Sequence, residues 1–384
     1  MAPIRTAIIG LSSSAITSWA SNAHLPYLLS PRGRSKYQII ALQNSSVEAA
    51  HKAIADFNLP SETKAYGNPE DLAADKDVEL VVVATRVDVH HPTALPSVKA
   101  GKMVYVEWPL AQDAEHAREL AASAKESGSR TLVGLQGRFS PPAIKLRDLV
   151  KEGRVGKVLS SELHGSGGTN DREILPSSLS YFTQRAVGGS IYTIGFGHLF
   201  DQLQYILGDI TNFKSRLQIQ RPNVKIQDTA TNKITETVTS QVPDLIIATG
   251  TLRESETTQK DASVLLRFRR GQSFPGEPHL RISIYGEKGE IRVTSAASAI
   301  LHVGASRDTI KIEVHDFETD KVEEVDWKHE AWQEEIPAVS RSIAAVYDTF
   351  ADGGKEGLVT FDDALLRHEQ LEGLLKEWDS ERSA

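Results

Sequence analysis

Ile4-Arg5-Thr6-Ala7-Ile8-Ile9-Gly10-Leu11-Ser12-Ser13-Ser14-Ala15 is the stretch that decides the fold. Its first six residues form a β-branched, apolar run of strand length, and glycine comes at once after them. A strand that breaks on glycine and runs through small residues into a helix lets the backbone approach a pyrophosphate. There the unpaired N–H groups and the helix dipole favour an anion. Against the pattern G-x-G-x-x-G/A the positions read Gly10, Ser12 and Ala15, with Ser13 adding a hydroxyl, so only the first glycine is kept. The same serines would also serve as an ordinary helix N-cap. The alternation of strand and helix over the next 120 or so residues favours the nucleotide reading.

Tyr37 to Leu42, Leu80 to Ala84, Val104 to Val106 and Arg130 to Leu135 read as further strands, and Leu80 to Ala84 is as uniformly apolar as a strand buried on both faces. Between them Val47 to Phe57, Asn68 to Asp75, Pro92 to Ala100 and Asp113 to Ser127 read as helices. Strand and helix alternate because each parallel strand needs a long crossover. The sequence therefore predicts an α/β protein whose N-terminal domain, residues 1–137, is a Rossmann doubly wound parallel sheet.

Beyond Gln136 the grammar changes. Gly156 to His164, Thr211 to Ile219, Lys233 to Ser240, Leu245 to Leu252, Ser263 to Phe268, Arg281 to Tyr285 and Glu290 to Val293 succeed one another with turn residues between them. Gly286-Glu287-Lys288-Gly289 is a tight hairpin connection, and Glu254 to Asp261 is polar enough for an exposed hairpin tip. Helical patterns occur at Ile191 to Leu207, Ile336 to Phe350 and Thr360 to Trp378, the last opened by Thr360 with Asp363 three residues on. Residues 138–384 are thus expected to form an α+β domain with a large, mainly antiparallel sheet. Helices cover one face of that sheet; the other is solvated or buried against another subunit.

The 384 residues carry 43 Lys+Arg against 51 Asp+Glu, a formal net charge of −8. No global basic field exists to hold nucleic acid or an anionic membrane directly. The absence of Cys excludes disulfide scaffolds, thiolate zinc sites and thiol catalysis, and fits a reducing compartment. No apolar stretch reaches the length of a membrane span, so a cytoplasmic protein is expected. His90 and His91 resemble a metal pair only superficially, because neighbours on a turn diverge; solvated residues and no metal site are expected.

At the end of the second strand stand Gln43, Asn44, Ser45 and Ser46 rather than the carboxylate that selects the ribose of NAD. None repels a 2′-phosphate and all can donate to one, so the coenzyme is expected to be NADP or NAD.

Gly101-Lys-Met-Val-Tyr-Val-Glu107-Trp108-Pro109-Leu110-Ala111 resembles the A-G-K-x-V-x-x-E-K-P-L-A segment of the Gfo/Idh/MocA oxidoreductase family. Ala84-Thr85-Arg86, Gly188-Gly189-Ser190 with Gly195 and His198 after it, and the Gly286 to Gly289 hairpin fall in the family's order. The departures are informative. By the resemblance, active members place a Lys beside the nicotinamide, where this chain has Trp108, and an Asp one helical turn before the His, where it has Ile194. Val106 to Ala111, Leu135 to Pro141, Thr193 to His198 and Val242 to Asp244 resemble one branch, the fungal galactose-pathway repressors, which keep the fold, bind a dinucleotide and mask an acidic activation domain.

The resemblance implies an NAD(P)-dependent oxidoreductase acting on a small metabolite. Its alternative is a non-catalytic co-repressor that takes an acidic activation-domain peptide and reaches the nucleus. Candidate catalytic residues are His198, with a pKa suited to proton exchange, and Tyr192 and Tyr181. Candidate coenzyme residues are Gly10, Ser12, Ser13, Ala15, Asn44, Ser45, Ser46, Thr85, Arg86, Glu107, Trp108 and Gln136. Arg138 would meet an anionic substrate or acidic peptide, or form an interdomain salt bridge; Tyr181, Arg172 and Arg185 lie in the long loop before the helix, which would fold over a substrate or stand solvated. Trp108 is expected to wall the cleft, and a homo-oligomer is expected.

Overall fold

The structure, a computed structural model, describes residues 2–14, 19–167 and 171–383. Two compact units emerge. The first comprises Met1–Gln136, Ala186–Gly189 and Glu330–Glu369; the second comprises Gly137–Arg185, Ser190–His329 and Gln370–Ala384. A linear division at residue 137 therefore misses the return of Glu330–Glu369 to the first unit.

In the first unit β1 (Ile4–Ile9), β2 (Tyr37–Gln43), β3 (Lys64–Tyr66), β4 (Leu80–Val83), β5 (Met103–Glu107) and β6 (Thr131–Gly134) form one parallel sheet in the order β3-β2-β1-β4-β5-β6. Every residue of β4 is buried, as its uninterrupted apolar run demands. The order reverses between β1 and β4, so a crevice opens at their carboxyl ends, the place where such sheets bind ligands.

The helix Val87–Lys99 starts earlier than Pro92, where the sequence suggested, and contains both Pro92 and Pro96. Burial of Val87, His90, Thr93, Ala94 and Val98 on one side outweighs the two missing N–H donors. His90 is accordingly not solvated. Its Nδ1 lies 2.8 Å from the Pro109 carbonyl and its Nε2 3.0 Å from that of Thr85, and burial lowers its pKa. The returning segment brings the helix Arg341–Ala351 and sets Tyr347 among Tyr27, Tyr37 and Tyr105.

The second unit is built on an eight-stranded sheet of β7 (Val158–Gly167), β9 (Ile210–Gln218), β12 (Leu245–Leu252), β13 (Thr258–Arg270), β14 (Leu280–Gly286), β15 (Gly289–Ser295), β16 (Ile310–Asp316) and β17 (Lys321–Glu324). Its order is β17-β16-β15-β14-β7-β13-β12-β9; β7 and β13 run parallel and the other neighbours antiparallel. A small sheet of β8 (Ile174–Pro176), β10 (Asn223–Gln227) and β11 (Ile234–Thr239) closes over Leu175, Val224 and Ile226. The expected α+β architecture is thus present.

One face of the large sheet buries Leu163, Val264, Leu266, Phe268, Ile282, Ile284, Ile291 and Val293, as strict alternation requires. Against it packs a helical segment that opens as a π-helix, Ile191–Phe196, and continues as the α-helix Gly197–Leu207. Phe196 meets Phe268 with ring centroids 6.0 Å apart. Ser190 and Thr193 form a reciprocal capping box that fixes where this segment begins.

Candidate functional site

The glycine after β1 is held where few other residues fit. Gly10 has φ +94°, and its N–H donates to the Gln43 carbonyl at 3.1 Å. A β-carbon there would stand 2.6 Å from Thr85 Cγ2 and 2.7 Å from the Ala84 carbonyl oxygen. The ends of β1 and β4 therefore close to the contact limit of bare backbone, which keeps the crevice mouth open to a diphosphate. Ser12 and Ser14 join hydroxyls at 2.9 Å, and the Ser13 hydroxyl donates to Asp56. Ala15 lies outside the described residues. Thr85 and Arg86 come directly after β4; Arg86 is exposed and forks onto Asp88 at 2.6 and 2.7 Å.

At the end of β2 the polar residues divide. The Asn44 side-chain amide donates to the carbonyls of Leu11 at 2.9 Å and Ala49 at 3.2 Å, bracing the Gly10 turn from below. Ser46 caps the helix Val47–Asp56 by accepting from the Ala49 N–H. Asn44, and Ser46 as an acceptor, thus work inside the fold; of these three only Ser45 is exposed to solvent.

Glu107 ends β5 and is buried, with Oε1 3.0 Å from Nε2 of the fully buried His24. The approach angle is too poor for a hydrogen bond, so Oε1 keeps acceptor capacity. Nδ1 of His24 lies 2.8 Å from the Tyr347 hydroxyl. Gly134 on the neighbouring strand makes room: a β-carbon there would lie 2.6 Å from both carboxylate oxygens.

Trp108 does not wall a cleft. It is only 4% exposed and packs against the ring of His368, with centroids 4.8 Å apart. An aromatic surface of that size is held more firmly by burial than by an open crevice. Burial also lowers the His368 pKa to about 4. Gln136, at the close of this unit, is 2% exposed.

In the second unit His198 is nearly buried and stacks at a tilt on His302, with ring centroids 4.9 Å apart. Burial and the neighbouring His198 push the His302 pKa well down, so a neutral imidazole backs His198. Tyr192 is not a proton donor to substrate. The residue is 1% exposed, its hydroxyl donates to the Leu371 carbonyl at 2.6 Å, and burial raises its pKa. Tyr181 lies half-buried in a 3-10 turn and meets Phe182 edge-on at 5.1 Å. Arg138 forms a two-pronged pair with buried Asp201, at 2.8 and 2.5 Å. Arg185 pairs with Asp379 at 2.7 Å, while Arg172 is exposed.

Sequence reasoning missed His24, Tyr347, His302 and Asp201. Among the described residues no group of three or more acidic or His side chains is placed to hold a metal ion, and no helix is long and apolar enough to cross a membrane.

Residues 4–135 match the family model of the oxidoreductase family NAD-binding Rossmann fold, and residues 141–295 match that of the Gal80p C-terminal domain. The chain is 29% identical over 379 residues to dehydrogenase aclE of Aspergillus oryzae, covering 98% of this chain and 96% of that protein. It is 28% identical over 304 residues to the galactose/lactose metabolism regulatory protein GAL80 of Saccharomyces cerevisiae, covering 77% and 68%. A crystal structure of a super-repressor mutant of Gal80p from that yeast superimposes with a TM-score of 0.84 at 24% identity, over 99% of this chain and 97% of that one. The chain belongs to the Gfo/Idh/MocA oxidoreductase family and stands near its Gal80 branch.

Proposed function

We propose that this protein is a nicotinamide-dinucleotide-dependent oxidoreductase acting on a small metabolite, a homo-oligomer in its working form. The observation that carries the reading is Gly10, pressed at positive φ onto Ala84 and Thr85 where the strand order reverses. A full-length resemblance to a dehydrogenase supports it. Bound, the coenzyme supplies or accepts hydride. The backbone after Gly10, with Ser12 and Ser13, holds the diphosphate. Ser45 meets the adenosine ribose, and the lack of a carboxylate at the end of β2 admits NADP as well as NAD. Glu107 serves the nicotinamide half, and His198 moves the proton that accompanies hydride transfer.

The test is direct. Calorimetry with NADH and NADPH should detect binding, and a panel of carbonyl, imine and enone metabolites should yield one that oxidises the bound coenzyme. His198→Asn should lower kcat at least a hundredfold with coenzyme affinity unchanged. Full turnover in that variant refutes the assignment.

A second reading is favoured by Trp108, which stands in the family's Lys position and is buried against His368, and by the match to the Gal80p C-terminal domain. On it the protein is a dinucleotide-binding co-repressor. Capture of an acidic activation-domain peptide, strengthened by coenzyme, would support it; no capture would leave the enzyme reading alone.

A further inference from the structure

We infer that His24 and Tyr347 are positioning residues that set the Glu107 carboxylate for the nicotinamide half of the coenzyme. This rests on the coenzyme reading above.

Strand order supplies the placement. A dinucleotide lays its adenosine ribose at the end of β2 and its diphosphate at the β1 turn. β5 lies two strands beyond β1 on the other side, so Glu107 belongs to the half that receives the nicotinamide.

The buried chemistry supplies the device. Burial, with the nearby phenol of Tyr37 and carboxylate of Glu107, keeps the Tyr347 hydroxyl protonated. Its O–H is placed to donate to Nδ1 of His24, 2.8 Å away. With the phenol donating, the ring proton stands on Nε2, which faces Glu107 Oε1 at 3.0 Å as an electrostatic contact off hydrogen-bond alignment. The opposite tautomer would set a lone pair against a carboxylate. A buried carboxylate without such a partner would turn toward water or take up a proton. Gly134 leaves the space that the carboxylate occupies, and the buried Tyr105 phenol stands beside it. The π-helical turn Ala20–His24 brings the imidazole there.

The experiment compares two ligands on the full-length protein by calorimetry. One is whichever of NADH and NADPH the wild type binds more tightly. The other is the matching fragment without nicotinamide, ADP-ribose or its 2′-phosphate. His24→Leu should weaken the coenzyme at least tenfold and change the fragment less than twofold. His24→Gln, whose amide can donate to the carboxylate, should recover much of the loss, and Tyr347→Phe should cost about threefold. Should His24→Leu not fold, Glu107→Gln carries the test and should show the same selective loss. Equal weakening of both ligands would reveal a merely structural role and overturn the inference, as would unchanged coenzyme affinity. A wild type that binds neither ligand would instead defeat the coenzyme reading itself.

Discussion

Replacing Gly10 by Ala probes the crevice at its narrowest point. Two penalties add. An L-residue at φ +94° costs about 1–2 kcal/mol relative to glycine. The new methyl would also sit 2.6 Å from Thr85 Cγ2 and 2.7 Å from the Ala84 carbonyl, well inside contact distance. Thr85 can rotate, but the Ala84 carbonyl is backbone at the end of β4, held to β1 by the Ala84 N–H on the Ile9 carbonyl, so the turn itself must move. Forcing a methyl into packed surroundings costs about 1–3 kcal/mol.

The sum is roughly 2–5 kcal/mol, divided between stability and geometry. If the fold retained its shape and carried the whole penalty, Tm would fall by roughly 4–20 °C at 2–4 °C per kcal/mol. If the turn moved instead, its N–H groups would leave the diphosphate. Losing about 1.4 kcal/mol there weakens binding tenfold. Thermal unfolding and coenzyme titration on one preparation separate the two. The expected outcome is a Tm lowered by several degrees together with at least a tenfold loss of NADH or NADPH affinity. An Ala variant with unchanged affinity would show that the diphosphate does not lie against this turn.

Burial and pairing lead to three further outcomes. Tyr192→Phe should cost about 0.5–1.5 kcal/mol in stability, because the hydroxyl's bond to the Leu371 carbonyl is lost, and should leave kcat within twofold; a hundredfold fall in kcat at full stability would restore the phenol as proton donor. Asp201→Ala removes the buried carboxylate onto which Arg138 forks and should cost about 3–5 kcal/mol by chemical denaturation, whereas a surface-like loss under about 1 kcal/mol would contradict the buried pair. The His368 imidazole stays neutral in the fold down to pH about 4, against 6.5 when unfolded. The unfolded chain thus binds the extra proton between those values, so this contribution is complete above pH 6.5 and falls by roughly 3 kcal/mol as pH drops to 4. Urea midpoints at about pH 7.5 and 5 should diverge less in His368→Gln than in the wild type, and equal divergence would refute the assignment.

The parallel sheet was legible because its signals are local. β1, β4 and the helix Val47–Asp56 each announce themselves by composition within a few residues of their observed bounds. β3 and β17 did not, for a physical reason. Lys64–Tyr66 is three residues long, and every residue of Lys321–Glu324 is exposed, so neither carries a buried face to imprint a period. β16 is different: Ile310, Ile312 and Val314 alternate with Lys311, Glu313 and His315, a clear strand pattern that was not among those expected.

The candidate site was legible only as a set of chemically able residues, because a side chain's availability is decided by partners far away in the chain. Tyr192 and Tyr347 are both buried tyrosines with raised pKa. One hydroxyl ends on a backbone carbonyl and stops there; the other ends on an imidazole that reaches a carboxylate at a sheet end. Propensity and spacing cannot separate them, since the distinguishing partners, Leu371 and His24, stand 179 and 323 residues away. The same holds at β2, where Asn44 and Ser45 are neighbours of similar polarity, yet Asn44 is drawn under the Gly10 turn and Ser45 is left facing solvent. A residue type thus states what chemistry is permitted, and the hydrogen bonds already made inside the fold state how much of it remains for a ligand.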